Sequence, residues 1–298
     1  MNEKLAHVLL FLVAIVWGTG FVATHIALET GITPYYMMGL RFSIAAAIVF
    51  AIFYKRILKN LKSHSKPGVV LGIFLFVAFA FQTIGLQYTT PSKNAFITAV
   101  NVVMAPFIYW VLLKKTIDKY TLIGAFLAIV GIGYLTLDGG VGNVNLGDAL
   151  TLVCAFFFAL HIVFIGFYAK DHDFDPITLV FLQFFVATLL SWASTFIFED
   201  FSYTSITRDG AWAILYLGLF STLLAFFTQN IAQKYVDQTK TAIILSTEAV
   251  FGTLASIIII NEAITSNMVI GSIIVFIAII IVETKLTFLR STKKLQNS

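Results

Sequence analysis

Ten stretches of mostly apolar residues follow one another along the chain, at 5–26, 35–54, 67–88, 94–113, 119–137, 147–168, 176–198, 210–233, 240–260 and 266–287. A helix of about 20 residues crosses a hydrocarbon core of about 30 Å, so each stretch is long enough to span a bilayer. The pattern predicts an all-α polytopic membrane protein with ten transmembrane helices, spans 1 to 10. The first stretch follows Lys4 and runs on without a small-residue cleavage signal, with nine more behind it. It reads as a retained span rather than a signal peptide.

Composition agrees with that pattern. Hydrophobic residues make up 59% of the chain, charged residues only 11%, and mean hydropathy is +0.93. A water-facing surface cannot be covered with so few charges. The single cysteine, Cys154, leaves no intramolecular disulfide and no multi-cysteine metal site. The net charge of +4 suggests a basic patch only until its residues are located. With the N-terminus placed in the cytoplasm, sixteen Lys and Arg residues fall on the inside, mainly at 55–66, 114–119 and 285–294, and only Lys93 and Arg208 fall outside. This asymmetry is a topology signal and not a nucleic-acid footprint. It predicts a multi-pass protein of the cell (plasma) membrane with both termini cytoplasmic.

The two halves of the chain repeat. A gapless shift of 147 positions pairs Gln82 with Gln229, Tyr88 with Tyr235, Lys93 with Lys240, Ala95 with Ala242, Ile97 with Ile244, Ile117 with Ile264 and Gly124 with Gly271. Earlier in each half, a shift of 142 pairs Pro34 with Pro176. The chain therefore divides into a first five-helix repeat at 1–138, a glycine-rich linker at 139–147, a second repeat at 148–287 and a cytoplasmic tail at 288–298. An odd number of spans per half makes the second copy enter from the opposite side, so the repeats are inverted. The charges follow: Lys114 and Lys115 align with Asn261 and Glu262, and the cations vanish where the repeat faces outward. Inverted repeats suit alternating access, because two equivalent halves can exchange conformations around a midplane site.

The order and spacing of several segments carry a family resemblance. They are AIVWGTGFV at 14–22, YTTPSKNAFITAVNVVMAPF at 88–107, STEAVFGTLAS at 246–256 and INEAITSNMVIGSIIVFIAI at 260–279. Together they resemble the EamA family of the drug/metabolite transporter superfamily over nearly the whole chain. The resemblance implies a fold of two inverted five-helix repeats, a central cavity lined mainly by spans 1, 3, 4, 6, 8 and 9, and transport of amino acids, amines or related metabolites, often outward. In the family, span 9 commonly reads Glu-Pro; here Glu248 is followed by Ala249, which removes a proline bend at that point.

A charged group at the bilayer centre costs about 2.5–3.5 kcal/mol on insertion scales, so intramembrane polar residues are informative. Glu248 lies near the middle of span 9 with no cation one helical turn away. It is a candidate to bind an amine or to take up a coupling proton; the alternative is a neutral side chain bonded to a neighbouring helix. Asn101 is its repeat mate in span 4, and Gln82 with Gln229 is a second matched pair; each lines a cavity or joins helices. His161 in span 6 is a further cavity candidate. His25 and Arg41 read rather as structural, Arg41 reaching for the interface. Trp17 sits at mid-span, away from the interfacial belt where Trp gathers, and reads as a cavity wall with Phe21 and Tyr88 as companions.

No catalytic residue, cofactor or metal site is expected. The five histidines are dispersed, without an H-x-x-x-H pair, and no Ser–His or paired-Asp constellation appears. The expected partners are a small-molecule substrate, a coupling proton and membrane lipids, with no nucleic acid. The reading is a secondary transporter that moves an amino acid, amine or related amphipathic solute. A lipid or drug translocator of the same fold is the alternative, with a membrane enzyme or channel behind it.

Overall fold

The computed structural model describes residues 2–114, 116–136, 145–168, 175–200, 206–232, 235–236, 241 and 244–285. Most of the glycine-rich linker, the tail at 288–298 and the predicted positions Lys115, Lys170, Lys234 and Lys240 lie outside the described residues. Among the described residues the fold is all-helical: α1 (Glu3–Glu29), α2 (Pro34–Leu86), α3 (Pro91–Ala99), α4 (Asn101–Leu113), α5 (Lys119–Thr136), α6 (Leu146–Tyr168), α7 (Pro176–Phe198), α8 (Arg208–Tyr216), a π-helical stretch Leu217–Leu224, α9 (Ala225–Ala232), α10 (Glu248–Ile260) and α11 (Ser266–Thr284).

Local chemistry fixes many starts. Asn2 accepts from Leu5 N at 2.9 Å and caps α1. Thr90 caps α3 ahead of Pro91, Asp175 caps α7 ahead of Pro176, and Thr207 caps α8. Proline suits a first helical position because its missing N–H would have no partner there.

Spans 2 and 3, predicted as separate helices, are two helices that follow one another in the helical run α2 of 53 residues, with a kink at Phe53 (φ −117°, ψ 17°), and the run folds back so that Phe42 touches Phe79. Low hydropathy at 55–66 marks residues outside hydrocarbon, not residues outside a helix. Leu, Lys and Arg there are good helix formers, and no glycine stops the turn after Tyr54.

Among the described residues seven helical spans are long and apolar enough to cross a membrane, α3 with α4 and α8 through α9 each counting as one, and Lys119–Leu135 and Ile244–Ile260 are shorter apolar helices. The bundle is apolar outside as well as inside: Ile129, Ile197 and Ile258 each expose 70% or more of their surface. Such an exterior is stable against lipid and not against water, so the chain is a polytopic membrane protein.

Contacts recur between the two halves. Phe42 meets Phe79 edge-on with ring centroids 5.3 Å apart, and their counterparts Phe184 and Phe226 meet edge-on at 5.7 Å. Phe42 and Phe184 also touch each other, at 6.2 Å. A methyl placed on Gly124 would stand 3.0 Å from the Ala278 carbonyl oxygen, and one on Gly131 would stand 2.9 Å from that of Gly271. Since 147 positions separate Gly124 from Gly271 and Gly131 from Ala278, this is one contact made twice where α5 crosses α11. Lys114 and Asn261, also 147 apart, both end their helices in the left-handed region, with φ of 50° and 54°.

A candidate solute site between the halves

The matched spans share a further feature. At Val100 (φ −64°, ψ −14°) and at Thr247 (φ −66°, ψ −10°) the helix tightens for one turn, and each N–H bonds to the carbonyl three residues back, at 3.2 Å in both cases. Val100 and Thr247 are 147 positions apart, and each directly precedes a mid-span polar residue, Asn101 and Glu248. The sequence predicts no bend here, because Ala249 replaces a proline. The turn forms without one, helped by the Thr247 hydroxyl, which donates to Ile244 O at 2.5 Å.

Behind these turns lies a cavity of about 500 Å³, within the range of small-molecule sites. Seven of the eight residues singled out from sequence line it: Trp17, Phe21, Gln82, Asn101, His161, Gln229 and Glu248. Tyr88 does not; it lies in the turn after α2, 53% exposed. His25 is also absent from the wall.

Most polar groups in the wall are held. Trp17 donates its indole N–H to the Ser221 carbonyl at 2.9 Å. Gln82 Nε2 donates to Thr98 Oγ1 at 3.2 Å. His161 Nε2 donates to Gln183 Oε1 at 2.6 Å, both side chains being buried. Asn101 and Glu248 differ: among the described residues neither side chain makes a hydrogen bond or ion pair, although both line the cavity.

Arg41 lines the cavity too, although its position suggests snorkelling to the interface. It is 2% exposed, donates Nε–H to Thr222 Oγ1 at 3.0 Å and lies with its guanidinium 4.6 Å from the Phe79 ring centroid. The π-helical turns at Leu217–Leu224 present both docking atoms, the Ser221 carbonyl to Trp17 and the Thr222 hydroxyl to Arg41. Wide turns of this kind often mark functional sites. Phe79 and Phe226, which sequence reading did not single out, complete an aromatic wall; Trp17 meets Phe226 at 5.3 Å and Phe158 meets Phe79 at 5.2 Å. The shift of 147 positions that relates Phe79 to Phe226 is the signal that could have found them.

The wall also includes Tyr109, Gly166, Pro176 and Glu283, which stand near helix ends. Beside Pro176, outside the spans, α2 is fastened to the start of α7. Arg56 pairs with Asp175 at 2.8 Å, Asn60 Nδ2 donates to Asp175 Oδ2 at 2.8 Å, and the Asp175 N–H donates to His64 Nε2 at 2.8 Å. Burial raises the Asp175 carboxyl, but bonds from Arg56, Thr178 and Asn60 outweigh it and bring its pKa down to about 2.

A membrane-embedded helical bundle around an amphipathic cavity is the build of a transporter. Comparison with known proteins agrees: the model of the EamA-like transporter family matches twice, over residues 4–137 and 145–284. An uncharacterized transporter of Archaeoglobus fulgidus is 35% identical over 276 residues, covering 93% of this chain and 85% of that protein. The chain therefore belongs to the EamA-like transporter family. A protein of Chlamydia muridarum named as an S-adenosylmethionine/S-adenosylhomocysteine transporter is 27% identical over 142 residues, 46% of this chain and 44% of its own length. Among solved structures that share the fold, one has a TM-score of 0.67 at 18% identity, covering 94% of this chain and 96% of that one.

Proposed function

We propose that this transporter is a secondary carrier of ten spans in two inverted five-helix repeats, moving a small amphipathic metabolite across the cell membrane by alternating access. The observation that carries this reading is the cavity bounded by matched elements of the two halves, with the paired turns at Val100 and Thr247 on its wall. At 1.5 Å per residue, the 53 residues of α2 hold about 80 Å of helical path, more than twice the hydrocarbon thickness, and the path folds back on itself. Counted as two spans, and taken with the two shorter apolar helices, it supports ten crossings.

The contacts made twice, at Phe42–Phe79 with Phe184–Phe226 and at the α5–α11 crossing, are those expected when a two-fold axis relates the halves. Trp17, Phe21, Gln82, Asn101, His161, Gln229 and Glu248 contact the solute in this reading. In this reading the helix ends carrying Tyr109, Pro176 and Glu283 face the cytoplasm, which the lysine-rich segments near those ends support. The relative named for S-adenosylmethionine supports a small metabolite as cargo. Net movement is outward, with Glu248 the candidate carrier of a coupling proton.

Reconstitution tests the class. Saturable flux with counterflow in proteoliposomes is expected. Unsaturable flux would mean a channel, and chemical conversion without flux would mean an enzyme.

A further inference from the structure

Span 8 holds one residue more than its counterpart, span 3. Leu71, Gly72 and Phe74 match Leu217, Gly218 and Phe220 at a shift of 146 positions, whereas Ala78, Phe79 and Gln82 match Ala225, Phe226 and Gln229 at 147. The shift changes where Leu75, Phe76 and Val77 stand opposite Ser221, Thr222, Leu223 and Leu224. The added residue falls inside the π-helical stretch Leu217–Leu224, at whose end the Ala225 N–H bonds to the Phe220 carbonyl, five residues back. The matched pair in α2, Phe74 and Ala78, is four residues apart, the spacing of an ordinary α-helical bond, and the backbone of α2 is regular there. Taken up as a wide turn, an inserted residue leaves both flanks in register; taken up as α-helix, it would rotate everything after it by about 100°.

The insertion brings polar atoms to a place where span 3 is apolar. In span 3 the segment supplies Leu75, fully buried among apolar residues of α2 and α7. In span 8 it supplies the Ser221 carbonyl, which accepts the Trp17 indole N–H at 2.9 Å, and the Thr222 hydroxyl, which accepts Arg41 Nε–H at 3.0 Å. In an α-helix the Ser221 carbonyl would take the Ala225 N–H; the wide turn gives that N–H to Phe220, and Ser221 accepts from Trp17. A methyl on Gly20, one turn beyond Trp17, would stand 2.9 Å from Ser221 Oγ, so α1 lies directly against the wide turn. The first half offers no such docking to the second. Gln183, the counterpart of Arg41 under the shift of 142 positions, bonds to His161 instead.

Taking the cavity as the solute site of the carrier reading above, we infer that the residue inserted in span 8 is a positioning element of that site, docking Trp17 of α1 and Arg41 of α2 on one wide turn. An aromatic and a cationic group of the wall are thereby fixed relative to each other. Thr222 is the positioning residue, acting through Arg41. Because span 3 lacks the insertion, the two halves present unlike walls to a solute.

Deletions in the purified full chain test the insertion. Removing Ser221 shortens span 8 to the length of span 3 and is expected to keep one cooperative thermal transition, because the flanks stay in register. Removing Val77 from span 3 is expected to abolish that transition, since Phe79 and Gln82 are then turned by about 100°. Loss of the transition in both, or its survival in both, overturns the proposal. Docking is read from Trp17 as the one remaining tryptophan, with Trp110→Phe, Trp192→Phe and Trp212→Phe in place. Acrylamide quenching of Trp17 is expected to rise when Ser221 is removed and to hold in Thr222→Val, which keeps the Ser221 carbonyl. Equal quenching with and without Ser221 overturns the proposal.

Thr222→Val keeps the shape of the side chain and strands a buried charged donor, so it is expected to lower the unfolding midpoint by a few degrees. With Arg41→Met in place no donor remains, and the same substitution is expected to cost little. Thr222→Ser is expected to restore the midpoint. An equal loss in both backgrounds makes Thr222 a packing residue and overturns its role. None of these readouts needs a solute, so the carrier reading stands or falls separately, on counterflow.

Discussion

Where α1 crosses α10, Gly18 lies so close to its neighbour that a single methyl group is a sharp probe. A Cβ at Gly18 would stand 2.6 Å from the Glu248 carbonyl oxygen, 2.7 Å from Gly252 N and 2.8 Å from Phe251 Cβ. Two of these are backbone atoms, which cannot rotate away as a side-chain tip could. The helices must part, and overpacking of this kind costs about 1–3 kcal/mol. Replacing glycine by alanine within a helix returns at most about 1 kcal/mol of propensity. Gly18→Ala is therefore expected to be destabilised by up to about 2 kcal/mol net, which for a chain of this size lowers the unfolding midpoint by a few degrees. Gly133→Ala is the control: no atom lies within 4 Å of its added methyl, so only the propensity gain remains and the midpoint holds or rises. Thermal unfolding of both variants in the same detergent, at one scan rate, measures the difference. The same parting shifts Trp17 and Phe21 against Glu248, so counterflow by Gly18→Ala should fall further than its stability does. A Gly18→Ala protein that melts with wild type and exchanges solute at its rate would refute the argument.

Other expectations follow from the same contacts. Glu248→Gln should insert normally and lose transport; unchanged flux across pH would remove Glu248 from the site. Asp175 should make stability depend on acid. Its folded pKa of about 2 lies below the unfolded value near 3.9, so its contribution is complete above about pH 4 and is lost as pH falls through about 2. The shift corresponds to about 2 kcal/mol, and to less once solvent screening of the 53% exposed Arg56 is allowed for. Asp175→Asn should accordingly be weaker than wild type at pH 7, with the gap closing below pH 4; a constant gap would mean that the ionised carboxylate contributes nothing. For topology, in a Cys154→Ser background an impermeant maleimide added to intact cells should label Ala263→Cys and leave Lys62→Cys unlabelled. The opposite pattern would invert the orientation.

Membrane class and the polar positions within the spans could be read directly from the chain because both rest on desolvation. Hydrocarbon excludes polar and charged groups strongly enough that each exception, such as Asn101 or Glu248, stands out in a single sequence. Two features could not be read that way. That the residues at 55–66 between spans 2 and 3 are themselves helical was hidden because hydropathy reports depth and not backbone conformation; only the helix-forming Leu, Lys and Arg residues there hinted at it. Arg41 was misjudged for a related reason. Counting turns from the start of α2 gives depth along the helix axis but not the direction in which the side chain leaves it, and a long side chain permits either course. What decides is a partner distant in sequence, the Thr222 hydroxyl offered by the π-helical turn, together with the Phe79 ring beneath the guanidinium. Tyr88 is the converse case: its identity with Tyr235 under the repeat shift suggested a shared site, yet Tyr88 and Tyr235 are 53% and 45% exposed, so this matched pair belongs to the surface of the bundle. A repeat therefore marks equivalent positions without giving them a role. The role shows where equivalence fails, as when Arg41 faces the cavity that its neutral counterpart Gln183 shares with His161.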